Sequence, residues 1–156
     1  MNTKSLLPRV AIGAAIVLAG IQVIPYGHNH TNPPVRQEPA WNSPETRVLA
    51  KRTCFDCHSN ETRYPWYSNI APASWLTERD ALEGRSKLNF SEWDRPQEDA
   101  EHAAEEIRKG EMPLWFYVPL HPDAKLSAAD RIALSAGLQA TIGEKGEKEV
   151  SEKNER

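Results

Sequence analysis

Cys54-Phe55-Asp56-Cys57-His58 contains both cysteines of this 156-residue chain, and its reading decides the fold. Two thiols spaced Cys-x-x-Cys and followed at once by an imidazole read as a covalent haem c attachment site. Each thiol can form a thioether to a haem vinyl group, and the imidazole of His58 can bind the iron from one face. The cysteine spacing alone is ambiguous, since such a pair also serves as a redox disulfide or as half of a zinc site. Only the adjacent histidine favours haem, and the chain has no further cysteine for a four-thiolate centre.

Downstream, Gly110-Glu111-Met112-Pro113 offers a thioether where a second axial ligand is expected. Gly110 and Pro113 suggest a fixed loop around Met112, and a soft sulfur ligand raises the reduction potential relative to a second imidazole. The competing reading of Met112 is a core side chain packed against Trp115. His102 and His121 are rival distal ligands. Around these positions Arg52 and Arg63 are candidates to pair with the propionates. Tyr64, Trp66, Tyr67 and Trp115 are candidates to pack around the macrocycle, with plain core filling as the alternative.

Outward from the motif, residues 1–26 stand apart. Lys4 and Arg9 precede an apolar run, Val10 to Ile24, and no acid lies in this stretch. That pattern is an export signal or a short membrane anchor. The run is short for a span of roughly 20 residues and long for a signal core of about 7 to 15. No clear Ala-x-Ala site follows, which favours an uncleaved anchor, with the basic end inside and the domain outside the cytoplasm. Residues 27–41 hold Pro33, Pro34 and Pro39 among polar residues and read as an extended tether. Residues 42–142 remain for one haem-bearing domain, and residues 143–156, dense in Lys and Glu, read as a charged flexible tail.

Within residues 42–142 the punctuation is helical. Ser43-Pro44 is an N-cap followed by a first-turn proline, starting a helix that carries Val48, Leu49 and Arg52 toward Cys54. A short helix is expected around Ser74 to Glu83. From Gln97 to Lys109, Ala100, Ala103, Ala104 and Ile107 make one narrow apolar face that Gly110 stops. Trp115 to Leu120 read as a loop over the haem edge. Ser127-Ala128-Ala129-Asp130 caps a last helix, with Ile132, Leu134, Leu138 and Ile142 facing the core. The sum is an all-α domain of about four helices with long loops and no strand. So small a domain buries a modest core, and a flat apolar macrocycle would supply the missing interior.

The Cys54-to-His58 motif with the later Met112-Pro113 resembles small class I cytochromes c. A closer resemblance, over roughly residues 41–142, is to the bacterial haem-binding domain family. It rests on Cys54-x-x-Cys57-His58-Ser59-Asn60, Tyr64-Pro65-Trp66-Tyr67, Met112-Pro113, Tyr117, His121-Pro122 and Leu126-Ser127. The resemblance implies a cytochrome c-like helical domain with one haem c per chain, attached through Cys54 and Cys57. It also implies His58 and Met112 as iron ligands, and a place on the periplasmic side of the membrane.

The function expected is one-electron transfer in the bacterial periplasm by a protein anchored to the inner membrane through its N-terminal segment. Its partners would be a periplasmic or inner-membrane redox protein and the cytochrome c maturation machinery. The alternative is a gas-binding or small-ligand-binding haem module, a sensor with a displaceable distal ligand. A peroxidase-like enzyme needs an accessible iron and a positioned acid-base group, and the sequence assigns none, so a non-enzymatic protein is favoured. A formal charge of −3 gives no basic field for phosphates, which argues against nucleic acid.

Overall fold

The acid-free start of the chain is helical. In the computed structural model, which describes the backbone of residues 3–154 and the side chains of residues 7–143, α1 (Thr3–Ile21) is exposed at every position from Leu7 to Gly20. A helix belonging to a core buries a stripe, and none of these positions is buried. Among the described residues no helix is long and apolar enough to cross a membrane.

Tertiary contacts divide the chain into two units, Met1–Thr31 with Tyr64–Asp80 and Asn32–Arg63 with Ala81–Arg156. In the first, the end of α1 is fastened by an amide pair: Gln22 Nε2 donates to Ala71 O at 3.0 Å, and Ala71 N donates to Gln22 Oε1 at 2.9 Å. His30 stacks on Tyr64 with ring centroids 4.3 Å apart, and its Nε2 donates to Ser68 O at 3.1 Å. Trp66 to Asn69 form a 3-10 turn.

The second unit is built on capped helices. Ser43 is extended, at φ −154° and ψ 156°, and its Oγ accepts the Thr46 amide at 3.2 Å, so α2 (Pro44–Thr53) starts where its cap requires. One turn, α3 (Phe55–His58), carries the cysteine motif. The helix expected to end near Glu83 continues a further turn as α4 (Ala73–Lys87).

A 3-10 turn at Ala100–His102 leads into α5 (Ala103–Lys109). Its end is a Schellman motif: Gly110 at φ 81°, with Gly110 N to Ile107 O at 3.2 Å and Glu111 N to Glu106 O at 3.0 Å. Ser127 then caps α6 (Ala128–Asn154) in a reciprocal box, its Oγ accepting Asp130 N at 3.0 Å while Asp130 Oδ2 accepts Ser127 N at 3.3 Å. The backbone of α6 thus runs through most of the expected tail, whose side chains beyond Gly143 lie outside the described residues.

The core joins Ala50 and Phe55 to Leu88, Phe90 and Trp93, to Ala104 and Ile107 of α5, and to Leu134 and Leu138 of α6. Of the apolar face expected between Gln97 and Lys109, Ala100, Ala104 and Ile107 are buried and Ala103 is partly buried. Ile132 is 72 % exposed, because two residues from Leu134 it lies on the opposite side of the helix, and Val48 of α2 is likewise exposed. The stretch expected as an extended tether, residues 27–41, forms no helix and is held by contacts of its own. Arg36 N and Gln37 N donate to Ser91 O at 2.8 and 3.1 Å, and Trp93 N donates to Gln37 O at 2.9 Å. No strand forms among the described residues, so the all-α expectation holds.

Candidate functional site

The site begins where α2 passes into α3. Cys54 N donates to Ala50 O at 2.8 Å, and Cys54 O in turn accepts the amides of Cys57 at 3.1 Å and His58 at 2.8 Å. A helical turn therefore holds Cys54 and His58 on one face. His58 Nδ1 lies 3.0 Å from Gly84 O and 3.1 Å from Leu88 O. Carbonyl oxygens only accept, so Nδ1 carries the proton and the lone pair belongs to Nε2, as an imidazole ligand requires. Desolvation of the ring lowers its pKa and keeps it neutral.

Gly84 makes this contact possible. A Cβ there would stand 2.5 Å from Cys57 O and 3.1 Å from Cys57 Cβ, so only glycine lets α4 approach closely enough for its carbonyl to reach His58. The residues after the motif form its floor. Ser59 Oγ donates to Phe55 O at 2.7 Å. Buried Asn60 donates through Nδ2 to Pro34 O at 2.8 Å and Glu92 Oε1 at 2.9 Å, and accepts from Asn89 Nδ2 at 2.8 Å.

A cavity of about 320 Å³ opens beside this turn, within the range of small-molecule sites. Cys54 and His58 line it from one side of the sequence and Met112 with Pro113 from the other, with Leu88, Phe90, Ile107 and Leu138 supplying apolar wall. The Oγ1 of Thr53, buried in the lining, has no hydrogen-bond partner among the described residues. A nitrogen and a sulfur donor, a thiol and apolar walls are what an iron porphyrin requires, so these residues fit a haem.

The other uses of the cysteine pair fare worse. Desolvation first, and the neighbouring Cys57 second, push the Cys54 thiol up to about 12, whereas redox cysteines have depressed values. Among the described residues no group of three His, Cys, Asp or Glu side chains could hold a metal ion such as zinc.

The remaining predicted positions are distributed as follows. Arg52 Nη2 pairs with Asp130 Oδ2 at 2.7 Å, joining α2 to the start of α6. Arg63 Nε pairs with Asp56 Oδ1 at 3.2 Å, inside the motif. Trp115 is 83 % exposed, its ring edge-on to Phe116. Tyr64, Trp66 and Tyr67 belong to the other unit. Of the rival histidines, His102 lines the cavity with Asp99 and Glu106, while His121 stacks on Tyr117 at 3.7 Å and its Nδ1 donates to Tyr117 O at 3.0 Å.

Sequence reasoning missed Gly84, Leu88, Thr53 and Lys87 as parts of the site. Gly84, isolated in a helical stretch, was the legible signal, because a glycine there marks a close approach. The cavity's cation is Lys87 at the end of α4.

Comparison with known proteins gives one family. A model described as a haem-binding domain matches residues 16–140. Neither the curated proteins nor the solved structures contain a match.

Proposed function

Since the chain belongs to the haem-binding domain family, and is on that ground a haem-binding protein, we propose that it is a monohaem c-type cytochrome that transfers single electrons. One observation carries this reading: Cys54 and His58, from one helical turn, and Met112, from a distant part of the chain, line the same cavity. When bound, haem supplies an iron that cycles between ferric and ferrous states.

Cys54 and Cys57 would hold the group by adding their S–H across its two vinyl double bonds, sulfur to one carbon and hydrogen to the other, so nothing leaves. His58, oriented by Gly84 O and Leu88 O, would present Nε2 to the iron. Met112, in the lining of the same cavity, would supply its sulfur as the second ligand. Held by His58 and Met112 together, the group would supply one-electron chemistry with little rearrangement of the chain around it. Leu88, Phe90, Ile107 and Leu138, in the apolar lining, would help to keep water from the bound group.

Export fits the basic, acid-free start of the chain ahead of the exposed apolar side chains of α1. On this reading residues 1–26 serve as signal or inner-membrane anchor and the haem domain works in the bacterial periplasm. The maturation machinery attaches the haem there, and the electron partner is another periplasmic or inner-membrane redox protein. The second reading, a small-ligand-binding module, draws on the polar Asp99, His102 and Glu106 in the cavity lining.

Optical absorption of the exported holo-protein separates the two, in ferric, ferrous and carbon-monoxide-treated forms and with Met112→Ala alongside. Electron transfer through His58 and Met112 requires a low-spin spectrum with the far-red sulfur-to-iron band, no carbon monoxide adduct, and loss of the band in the variant. A high-spin ferrous form, or ready carbon monoxide binding by the wild type, overturns it in favour of ligand binding. An unchanged low-spin spectrum in the variant moves the distal ligand to His102.

A further inference from the structure

The middle of the cysteine motif is tied to the loop that carries Met112. Asp56 stands between the two cysteines, its side chain only 11 % exposed, and Oδ2 accepts the phenolic O–H of Tyr117 at 2.6 Å. Arg63 engages both carboxylate oxygens, its N and Nε donating to Oδ1 at 3.1 and 3.2 Å and its Nη2 to Oδ2 at 3.3 Å. His121 backs the tyrosine ring by stacking on it and by donating to its carbonyl.

Elsewhere the loop is held by backbone bonds at its two ends and by Met112, which packs against the core. At its start the Schellman turn at Gly110 fixes the exit from α5, and Met112 N reaches Glu106 O at 3.3 Å. At its far end Tyr117 N and Val118 N donate to Leu114 O at 3.0 and 3.3 Å. Between them Trp115 and Phe116 are exposed. A short O–H bond to a carboxylate is among the stronger single contacts available to such a loop.

We propose that Tyr117 and Asp56 form a latch that holds the Met112 loop against the turn bearing Cys57 and His58, and thereby sets how readily an outside ligand displaces Met112. The latch rests on the His58/Met112 reading above for its effect on ligand exchange, though the loop's closure by Tyr117 stands without it. Tyr117 is thus a positioning residue: it touches Asp56 and acts on Met112 through the backbone between them.

The test uses the ferric full-length holo-protein, with Tyr117→Phe, which removes one oxygen and keeps the ring, and Thr141→Val as a control. Thr141 bonds to Asn42 and Gly137, and among the described residues no hydrogen bond joins it to the loop. Two quantities are read: the rate at which added imidazole abolishes the sulfur-to-iron band, and hydrogen exchange at the Met112, Tyr117 and Val118 amides. Loss of one hydrogen bond to a charged acceptor predicts about a tenfold increase in both for Tyr117→Phe.

The control is expected to leave both within about twofold of wild type, since a site without shared partners does not couple to the loop. Unchanged exchange in Tyr117→Phe, or equal acceleration in Thr141→Val, overturns the latch. A wild type that lacks the sulfur band, yet shows faster exchange in Tyr117→Phe, upholds the latch and rejects Met112 as ligand.

Discussion

Replacing Gly84 by alanine puts the packing of the site to a quantitative test. The new methyl would sit 2.5 Å from Cys57 O and 3.0 Å from Cys57 C, well inside the 3.4 Å at which ordinary contact begins. Both obstacles are backbone, so neither can swing aside, and α4 must move away from α3. Overpacking of this kind costs about 1–3 kcal/mol. The movement also weakens the bond from His58 to Gly84 O, worth about 1 kcal/mol.

Against these, alanine improves helix propensity by about 1 kcal/mol. The net expectation is a loss of about 1–3 kcal/mol, measured by guanidinium unfolding of the holo-protein. Gly143→Ala is the matching control. There the nearest atom is the Gln139 amide nitrogen at 3.5 Å, so the same change in α6 should stabilise by up to about 1 kcal/mol. A Gly84→Ala protein as stable as wild type, beside a stabilised Gly143→Ala, would refute the reasoning.

Further outcomes follow from other contacts. Asn60→Ala strands the buried Asn89 amide and removes the donor to the part-buried Pro34 carbonyl, and urea unfolding should show a loss of about 1–3 kcal/mol. Ser43→Ala removes the α2 cap and should cost about 1 kcal/mol in the same assay. The Arg47 guanidinium holds the Glu38 carboxyl below its usual 4.5, with the Trp41 indole N–H helping. The folded state therefore favours the charged form, so the stability this pair contributes is present above pH about 4.5 and is lost as pH falls through the lowered value. Glu38→Gln should flatten the acid limb of a pH–stability curve, and an unchanged slope would dismiss the pair. Far-ultraviolet circular dichroism should show less helix without haem than with it, since so small a core needs the macrocycle to fill it.

Local signals were legible and distant ones were not. The Ser43 cap, the Gly110 stop and the Ser127–Asp130 box each join residues a few positions apart, and each stands where its sequence places it. The motif at Cys54 to His58 is likewise local, and its haem reading agrees with the family that residues 16–140 match. By contrast, the carbonyls that orient His58 lie 26 and 30 residues away and carry no side-chain identity to read. Ile132 illustrates a different limit: it and Leu134 are equally apolar, and only the direction of α6 against its neighbours decides which one is buried. Arg52 and Arg63 could be read as anion-binding, but carboxylates at Asp130 and Asp56, invisible as partners in one dimension, stand beside them.

The amide network around Asn60 bears on how the motif can be transplanted. Moving residues 54–58 alone onto another helix would carry the thiols and the imidazole but leave the ring free to rotate and the turn unsupported. The smallest portable cassette is two segments, Cys54 to Asn60 and Gly84 to Glu92, because the second supplies Gly84 O, Leu88 O, Asn89 and Glu92 to the first. A designer who grafts both would import a preorganised ligand rather than a sequence tag.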